Sequence, residues 1–281
     1  MSSQITSRKL GKNGPQVPSI GFGGMGLSVY YGEPGDDAQR LAVLDRTYEL
    51  GSRYWDTADM YDDNEDLIGL WFSKNPQKRR DIFLASKFGC IITETSFGIR
   101  RDAAYVKEAC AKSLKRLGVE YIGLYYCHRL DEKTPIEKTV GAMVELNNEG
   151  KIKYLGLSEV PATSLRRAQA VNPIAAIEME YSPFELAIEH TSTPILATAR
   201  ELGVALVAYS PLGRGIMTGQ YTSPEDFEEM DLRRMMPRYA KENFPKNLVL
   251  VQQFKEIGAK RGLSSTQVCL AVCWLRGKTF L

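Results

Sequence analysis

Short apolar runs alternate with amphipathic stretches along the chain from Pro18 onward. Such alternation is typical of repeated βα units, in which helices cover a parallel sheet. Strands are predicted at residues 20–23, 52–57, 82–87, 122–128, 154–158, 174–180 and 205–210. The pattern therefore predicts an α/β protein with seven parallel strands.

Between these strands, apolar residues recur three and four positions apart, as in amphipathic helices. One predicted helix shows this spacing at Val106, Cys110, Leu114 and Leu117, and Gly118 is expected to end it. The last helical pattern, at residues 264–277, runs almost to the end of the sequence. Near the other end, the turn signal at residues 12–14 lies between two short extended runs and predicts a small β-hairpin before the first strand of the sheet.

Two architectures fit repeated βα units: an open doubly wound sheet and a closed eight-stranded barrel. The segment GFGGMG at residues 21–26 matches the glycine pattern of a dinucleotide-binding open sheet. That pattern requires a helix to begin at the glycines, whereas here SVYYGEPGDD intervenes and the first helix is expected to open at Asp36 and Asp37. We therefore predict a barrel.

Composition and charge narrow the possible functions. The 281 residues contain 36 basic and 34 acidic side chains, a formal net charge of +2, so neither nucleic acid nor a membrane is an expected partner. No secretory signal or membrane-length apolar run is present in the sequence, and a cytoplasmic protein with a single domain over residues 1–281 is expected. The five cysteines lack metal-type spacing and are expected to be buried, reduced thiols without a metal.

Polar side chains of four types stand where successive predicted strands end. Asp56 and Tyr61 follow the second strand, Lys87 ends the third and His128 ends the fourth. In a barrel, such positions meet at one mouth, the carboxyl-terminal face. A single residue of any of these types more often has a structural role. The prediction of a site therefore rests on the placement of all four at successive strand ends.

These four types suit a proton-donating site. A tyrosine has a pKa of about 10, and a neighbouring ammonium favours the phenolate. We therefore expect Lys87 to lower the pKa of Tyr61 and make it a general acid. Asp56 is expected to pair with Lys87, and His128 to form a hydrogen bond with a substrate oxygen.

Ordered motifs extend over almost the whole length of the chain: GFGGMG, WDTADMY, LASKFG, SLKRLGVEYIGLYYCHR, KYLGLSE, EYSPF and AYSPLGRGIMTGQY. In these motifs the chain resembles the aldo-keto reductases. The resemblance implies a (β/α)8 TIM-type barrel that binds a nicotinamide cofactor, NADP(H), and reduces a small-molecule carbonyl substrate. It also implies Tyr61 as proton donor, Lys87 and Asp56 as its tuning pair, and His128 as the residue that orients the substrate.

The resemblance also implies the residues that contact the cofactor. They are Gly23, Gly24, Met25, Asp56, Ser158, Glu159, Glu178, Tyr209, Ser210, Pro211, Leu212, Gly213, Arg214 and Gly215. Tyr209 would stack on the nicotinamide, and the loop at 210–215 would wrap the pyrophosphate, where glycines allow close approach. Met25, Tyr30, Tyr31, Phe88 and Arg129, with the loop at 222–245, are expected to form the substrate wall.

Departures from the family pattern leave two functions open. Glu159 and Glu178 replace the Asn and Gln that often hold the carboxamide, and a carboxylate cannot donate a hydrogen bond unless it is protonated. The sequence ends at GKTFL, so we expect a barrel shortened at the C-terminus, without its eighth strand and tail, and a weakened hold on the NADPH 2'-phosphate. A reductase is the main prediction, and a cofactor-binding regulatory protein resembling potassium-channel β-subunits is the alternative. A monomer or a weak homo-oligomer is expected.

Overall fold

A computed structural model describes residues 5–92, 97–131 and 133–277 of the chain. Its strands are β1 (Ser7–Lys9), β2 (Gln16–Pro18), β3 (Phe22–Gly23), β4 (Tyr54–Asp56), β5 (Phe83–Phe88), β6 (Cys90–Ile92), β7 (Phe97–Ile99), β8 (Ile122–Cys127), β9 (Ile152–Ser158), β10 (Ala176–Glu180) and β11 (Ala205–Tyr209). Its α-helices are α1 (Asp37–Glu49), α2 (Asn64–Lys74), α3 (Ala103–Leu117), α4 (Ile136–Asn148), α5 (Ala162–Val171), α6 (Ile195–Leu202), α7 (Phe244–Ala259) and α8 (Ser265–Gly277).

Seven of the strands form one parallel sheet that curves into a nearly closed barrel. Across the sheet their order is β3, β4, β5, β8, β9, β10 and β11, and each of them pairs with its neighbours in this order. Consecutive strands are joined through helices, and they are buried on both faces, as all six residues of β8 show. The predicted α/β barrel and its seven strands are confirmed, with boundaries shifted by a few residues.

The predicted helix ends and the predicted hairpin are also found. Asp36 caps α1 by accepting a hydrogen bond from Gln39 N, and Gly118 ends α3 at a φ of +63°. The hairpin of β1 and β2 forms as expected. The GFGGMG segment leads only into a short 3-10 turn (Met25–Leu27) that begins at its fifth residue, and α1 begins at Asp37, so the glycines do not open a helix of an open sheet.

One pair of strands was not predicted. β6 and β7 form an antiparallel hairpin directly after β5. The chain reverses out of the barrel at Gly89, whose φ of +118° is a conformation that favours glycine. This hairpin lies at the barrel mouth, because it extends the carboxyl end of β5.

Further expectations concern thiols, metals and membranes. All five cysteines are free and buried, as predicted. Within the described ranges, no cluster of His, Cys, Asp and Glu is placed to hold a metal ion, and no helix has the length and apolar character needed to cross a bilayer. The C-terminal residues 278–281, on which the expected shortening depends, lie outside the described residues.

Candidate active site

The four polar residues predicted to share one mouth do meet there. Asp56 is the last residue of β4, Lys87 lies near the end of β5, and His128 directly follows β8. The loop after β4 carries Tyr61 back over the barrel, so that Lys87 Nζ is 3.4 Å from Tyr61 Oη and pairs closely with Asp56 Oδ1. The rings of Tyr61 and His128 lie edge to face, with their centroids 5.8 Å apart.

Lys87 is the electrostatic centre of this cluster. Its side chain is only 1% exposed, and Nζ also donates to Thr57 O at 3.2 Å and approaches Glu178 Oε2 at 3.5 Å. Burial acts to lower the pKa of Lys87, but the carboxylates of Asp56 and Glu178 outweigh it and raise the pKa well above its usual value. Lys87 is therefore a permanent cation held between two acidic side chains.

The expected lowering of the Tyr61 pKa is wrong as a net effect. Burial of the phenol dominates and raises its pKa above 10, although the Lys87 charge acts in the predicted downward direction. Glu178 and Asp56 also act to raise it. Tyr61 is therefore fully protonated at neutral pH and can donate a proton. The phenolate that would remain has Lys87 as its counter-ion.

His128 is held neutral. Burial, together with the positive charges of Lys87 and Arg129, lowers its pKa to about 2. Its Nδ1 is buried and has no hydrogen-bond partner within the described ranges. A neutral imidazole can donate one hydrogen bond from its single N–H, and it lacks the second, acidic proton of the imidazolium.

Glu178 differs from an ordinary carboxylate. Burial and the nearby charge of Asp56 raise its pKa to about 8, even though the Lys87 ammonium acts against this shift. Burial raises the pKa of Asp56 as well, but Asp56 lies closer to Lys87 Nζ than Glu178 does, so Asp56 and Lys87 form the charged pair and Glu178 carries the proton near neutral pH. A protonated carboxyl can both donate and accept a hydrogen bond, as an amide can.

A cavity of about 620 Å³ opens over this cluster. Most of the residues expected to contact a cofactor line it: Gly23, Met25, Asp56, Ser158, Glu178, Tyr209, Ser210, Pro211, Leu212, Arg214 and Gly215, together with Tyr61 and His128. The predicted residues thus converge on one concave site at the carboxyl ends of the strands.

Three of the expected cofactor contacts do not line this cavity. The backbone of Gly24 is engaged with the strand beside it, since its N–H donates to Asp56 O at 2.8 Å. The carbonyl of Gly213 accepts a hydrogen bond from Tyr239 Oη at 2.9 Å. Glu159 points away and accepts from the backbone N–H of Glu180 at 3.0 Å.

The loop at 210–215 has an unusual backbone. Ser210 and Arg214 adopt left-handed φ values of +52° and +53°, alongside Gly213 and Gly215. Arg214 donates to Tyr31 Oη at 3.1 Å, while its buried Nε has no partner among the described residues. A loop of this kind turns charge and backbone groups toward the cavity, which suits a phosphate-bearing ligand.

Sequence reasoning missed several residues of the cavity wall. Met60, Cys90 and Phe97 line the cavity, the last two because of the unpredicted hairpin. Arg233, by contrast, belongs to the 222–245 loop that was expected in the wall; it lines the cavity and pairs with Asp231. Phe88, expected in the wall, is instead fully buried against Tyr125, with ring centroids 4.9 Å apart.

The cavity fits an extended nucleotide cofactor. A Cβ at Gly23 would meet no atom within 4 Å, so the backbone there borders open space. Among the residues lining the cavity, Glu178 Oε2 is buried with no hydrogen-bond partner within the described part of the chain, and Arg214 carries a cation that is paired with Glu180 at 3.3 Å. Polar groups for an amide and for phosphates therefore lie in one groove.

The fold and this site define the class: a barrel oxidoreductase with a tyrosine, a lysine, an aspartate and a histidine at its mouth. The model of the Aldo/keto reductase family matches residues 19–275. The chain is 53% identical over 282 residues to aldo-keto reductase str7 of Strobilurus tenacellus, covering 99% of this chain and 82% of that protein. The chain belongs to the aldo/keto reductase family and is an oxidoreductase.

Two further relatives support this assignment. Aldo-keto reductase yakc [NADP(+)] of Schizosaccharomyces pombe is 46% identical over 275 residues, covering 96% of this chain and 79% of that protein. The structure of the glycerol dehydrogenase AKR11B4 from Gluconobacter oxydans superposes with a TM-score of 0.85 at 27% identity, covering 99% of this chain and 85% of that one. The barrel is thus shared even where the sequences have diverged widely.

Proposed function

We propose that the protein reduces an aldehyde or ketone to an alcohol with NADPH, and that Tyr61 donates the proton. The observation that carries this proposal is the placement of the Tyr61 hydroxyl 3.4 Å from a buried ammonium, at the floor of the 620 Å³ cavity. The yeast relative's name, which includes NADP(+), supports the choice of cofactor.

The residues that would hold the cofactor lie along the groove from the barrel axis to its rim. Ser158 and protonated Glu178 would bind the carboxamide, Tyr209 would stack on the nicotinamide, and Arg214 with the 210–215 backbone would bind the pyrophosphate. When bound, NADPH supplies the hydride that reduces the carbonyl carbon.

The chain's own residues manage the proton. His128, neutral at working pH, donates a hydrogen bond to the carbonyl oxygen and orients it toward Tyr61. As negative charge develops on that oxygen, the Tyr61 O–H transfers its proton and the alcohol forms. The phenolate left behind is stabilised by Lys87, whose charge is held in place by Asp56. Solvent then returns the proton to Tyr61 once the product leaves.

The wall beside Tyr61 favours flat, apolar carbonyl compounds. Tyr30, Met60, Cys90 and Phe97 line the same cavity as Tyr61. Arg129 is also there, but it already donates to His128 O at 2.7 Å and to Ser158 Oγ at 3.1 Å. The test is consumption of NADPH with a panel of aromatic aldehydes. Tight NADPH binding with no turnover on any of them would refute the proposal and favour a cofactor-binding regulatory protein.

Glu178 makes cofactor binding pH-dependent. Because its pKa is about 8, the carboxyl is protonated below that pH and able to donate to the carboxamide oxygen, and it becomes a second anion above it. We expect the NADPH dissociation constant of the wild type to rise as pH increases through about 8. Glu178→Gln, which keeps a donor at all pH values, should remove this rise in a fluorescence titration.

The stability of the same variant provides the control. A carboxyl whose pKa is higher in the folded than in the unfolded protein lowers the free energy of unfolding. This loss of stability grows as the pH rises from 4.5 toward 8. Glu178→Gln should therefore be more stable than the wild type at pH 8 and above, with the difference disappearing below about pH 4.5. An NADPH affinity that is equally pH-dependent in both proteins would contradict the assigned role.

A further inference from the structure

Arg116 is far from Tyr61 along the chain, yet its side chain contacts the loop that carries Tyr61. It lies in the last turn of α3, and its side chain is 15% exposed. Nη1 donates to Asp59 O at 3.2 Å, and Nη2 donates to Asp62 O over a short distance. These two carbonyls flank Tyr61 on either side, so one planar guanidinium bridges the loop across the tyrosine.

The same guanidinium is itself held by two carboxylates at the start of α2. Glu65 Oε2 is 3.3 Å from Nη1, and Asp66 Oδ2 is 2.8 Å from Nη2. Glu65 is fully buried, and its other oxygen accepts a hydrogen bond from Ser86 Oγ at 2.6 Å. Ser86 precedes Lys87 in β5. The network therefore connects the Tyr61 loop to the strand that carries the lysine.

The backbone of the loop depends on such support. Asp62 adopts a left-handed φ of +48°, a conformation that a non-glycine residue keeps only when its surroundings enforce it. Gly69 lets α2 and α3 approach closely, since a Cβ there would lie 2.3 Å from Arg116 O. This contact fixes the base of the Arg116 side chain relative to α2 and to the loop.

From this arrangement we propose that Arg116 is a positioning residue for the proton donor, clamping the loop at 59–62 so that the Tyr61 hydroxyl stays against Lys87. This role rests on the proposed function. Arg116 itself contacts neither the cavity nor the reacting atoms. Small displacements of a reacting group can cost a large factor in rate, about 10²-fold for a shift of 1 Å.

The test compares Arg116→Ala with the wild type in aldehyde reduction. We expect kcat to fall by about 10²-fold, with KM and the NADPH dissociation constant little changed. Guanidinium ion, added well below denaturing concentrations, should restore part of kcat in this variant alone. The matched control is Arg166→Ala, which removes an arginine paired bidentately with Glu201 on the barrel surface and should behave as the wild type with and without guanidinium.

A second variant guards against a failure to fold. Arg116→Lys keeps a cation opposite Glu65 but lacks the fork that reaches both carbonyls, so it should fold and still lose most of kcat. Hydrogen exchange of the amides at 58–63 should be faster in both Arg116 variants, while the rest of the barrel is unchanged. This measurement does not need turnover, so it tests the clamp even if the wild type proves inactive.

The results that would overturn the proposal are specific. One is a folded Arg116→Ala protein with the kcat and loop exchange of the wild type. Another is a parallel loss of kcat, NADPH affinity and protection throughout the barrel, which would mean a general structural role. A wild type without turnover but with faster exchange in the variants would refute the proposed reductase function and leave the clamp intact.

Discussion

Replacing Tyr61 with phenylalanine is expected to lower kcat for aldehyde reduction by about 10²–10⁴-fold. The substitution removes only the hydroxyl that lies 3.4 Å from Lys87 Nζ, and the ring can keep its edge-to-face contact with His128. Cofactor affinity should change little, because Tyr61 contributes no group assigned to the carboxamide or the phosphates. NADPH consumption with aromatic aldehydes and fluorescence titration of NADPH measure the two quantities separately.

A matched control uses a tyrosine outside the site whose phenol is partly buried. Tyr105, in the first turn of α3, is outside the cavity lining, so Tyr105→Phe should keep the kcat of the wild type. If Tyr61→Phe is as active as Tyr105→Phe, some other group donates the proton. A loss of NADPH affinity parallel to the loss of kcat would mean that the substitution disturbs the cavity rather than the chemistry.

Replacing Lys87 with methionine should affect both activity and stability. Removing one partner of a buried ion pair typically costs about 3–5 kcal/mol, because the remaining charge is left uncompensated. Here the Asp56 carboxylate would lose its counter-ion, and the Tyr61 phenolate would lose its only adjacent cation among the described residues. We expect a lower free energy of unfolding at neutral pH and a kcat reduced at least as far as in Tyr61→Phe.

The two effects of the lysine can be separated. Asp56→Asn in the Lys87→Met background removes the uncompensated carboxylate, so denaturant unfolding should show much of the lost stability restored. Activity should remain low, because no cation faces Tyr61. If the double variant regains both stability and kcat, then Lys87 acts only as a structural partner of Asp56 and the proposed chemistry is wrong.

Much of the barrel and the four-residue cluster could be read from the sequence. The strands that carry Asp56 and Lys87 are short apolar runs with a polar residue at or near the end, and parallel strands bring such ends to one face. The position of Tyr61 at the barrel mouth could be predicted because it follows β4 by a few residues. Local patterns and the known geometry of parallel sheets were sufficient for these positions.

Other features depend on packing that no local pattern encodes. The direction of the Tyr61 pKa shift is set by burial of the phenol, which outweighs the Lys87 charge, and burial is a property of the folded chain. The β6–β7 hairpin brings Phe97 to the cavity wall through short strands that resemble a loop. Arg116 meets the Tyr61 loop only because α2 and α3 pack together at Gly69.

The most direct test of the central claim is a double-mutant cycle in kcat between Tyr61→Phe and Lys87→Met. If the lysine acts on the reaction through the phenol, then adding Lys87→Met to Tyr61→Phe should cost little further activity, and the interaction energy should be nearly as large as the effect of a single substitution. Losses in kcat that simply multiply in the double variant would contradict the account, because the two side chains would then act independently.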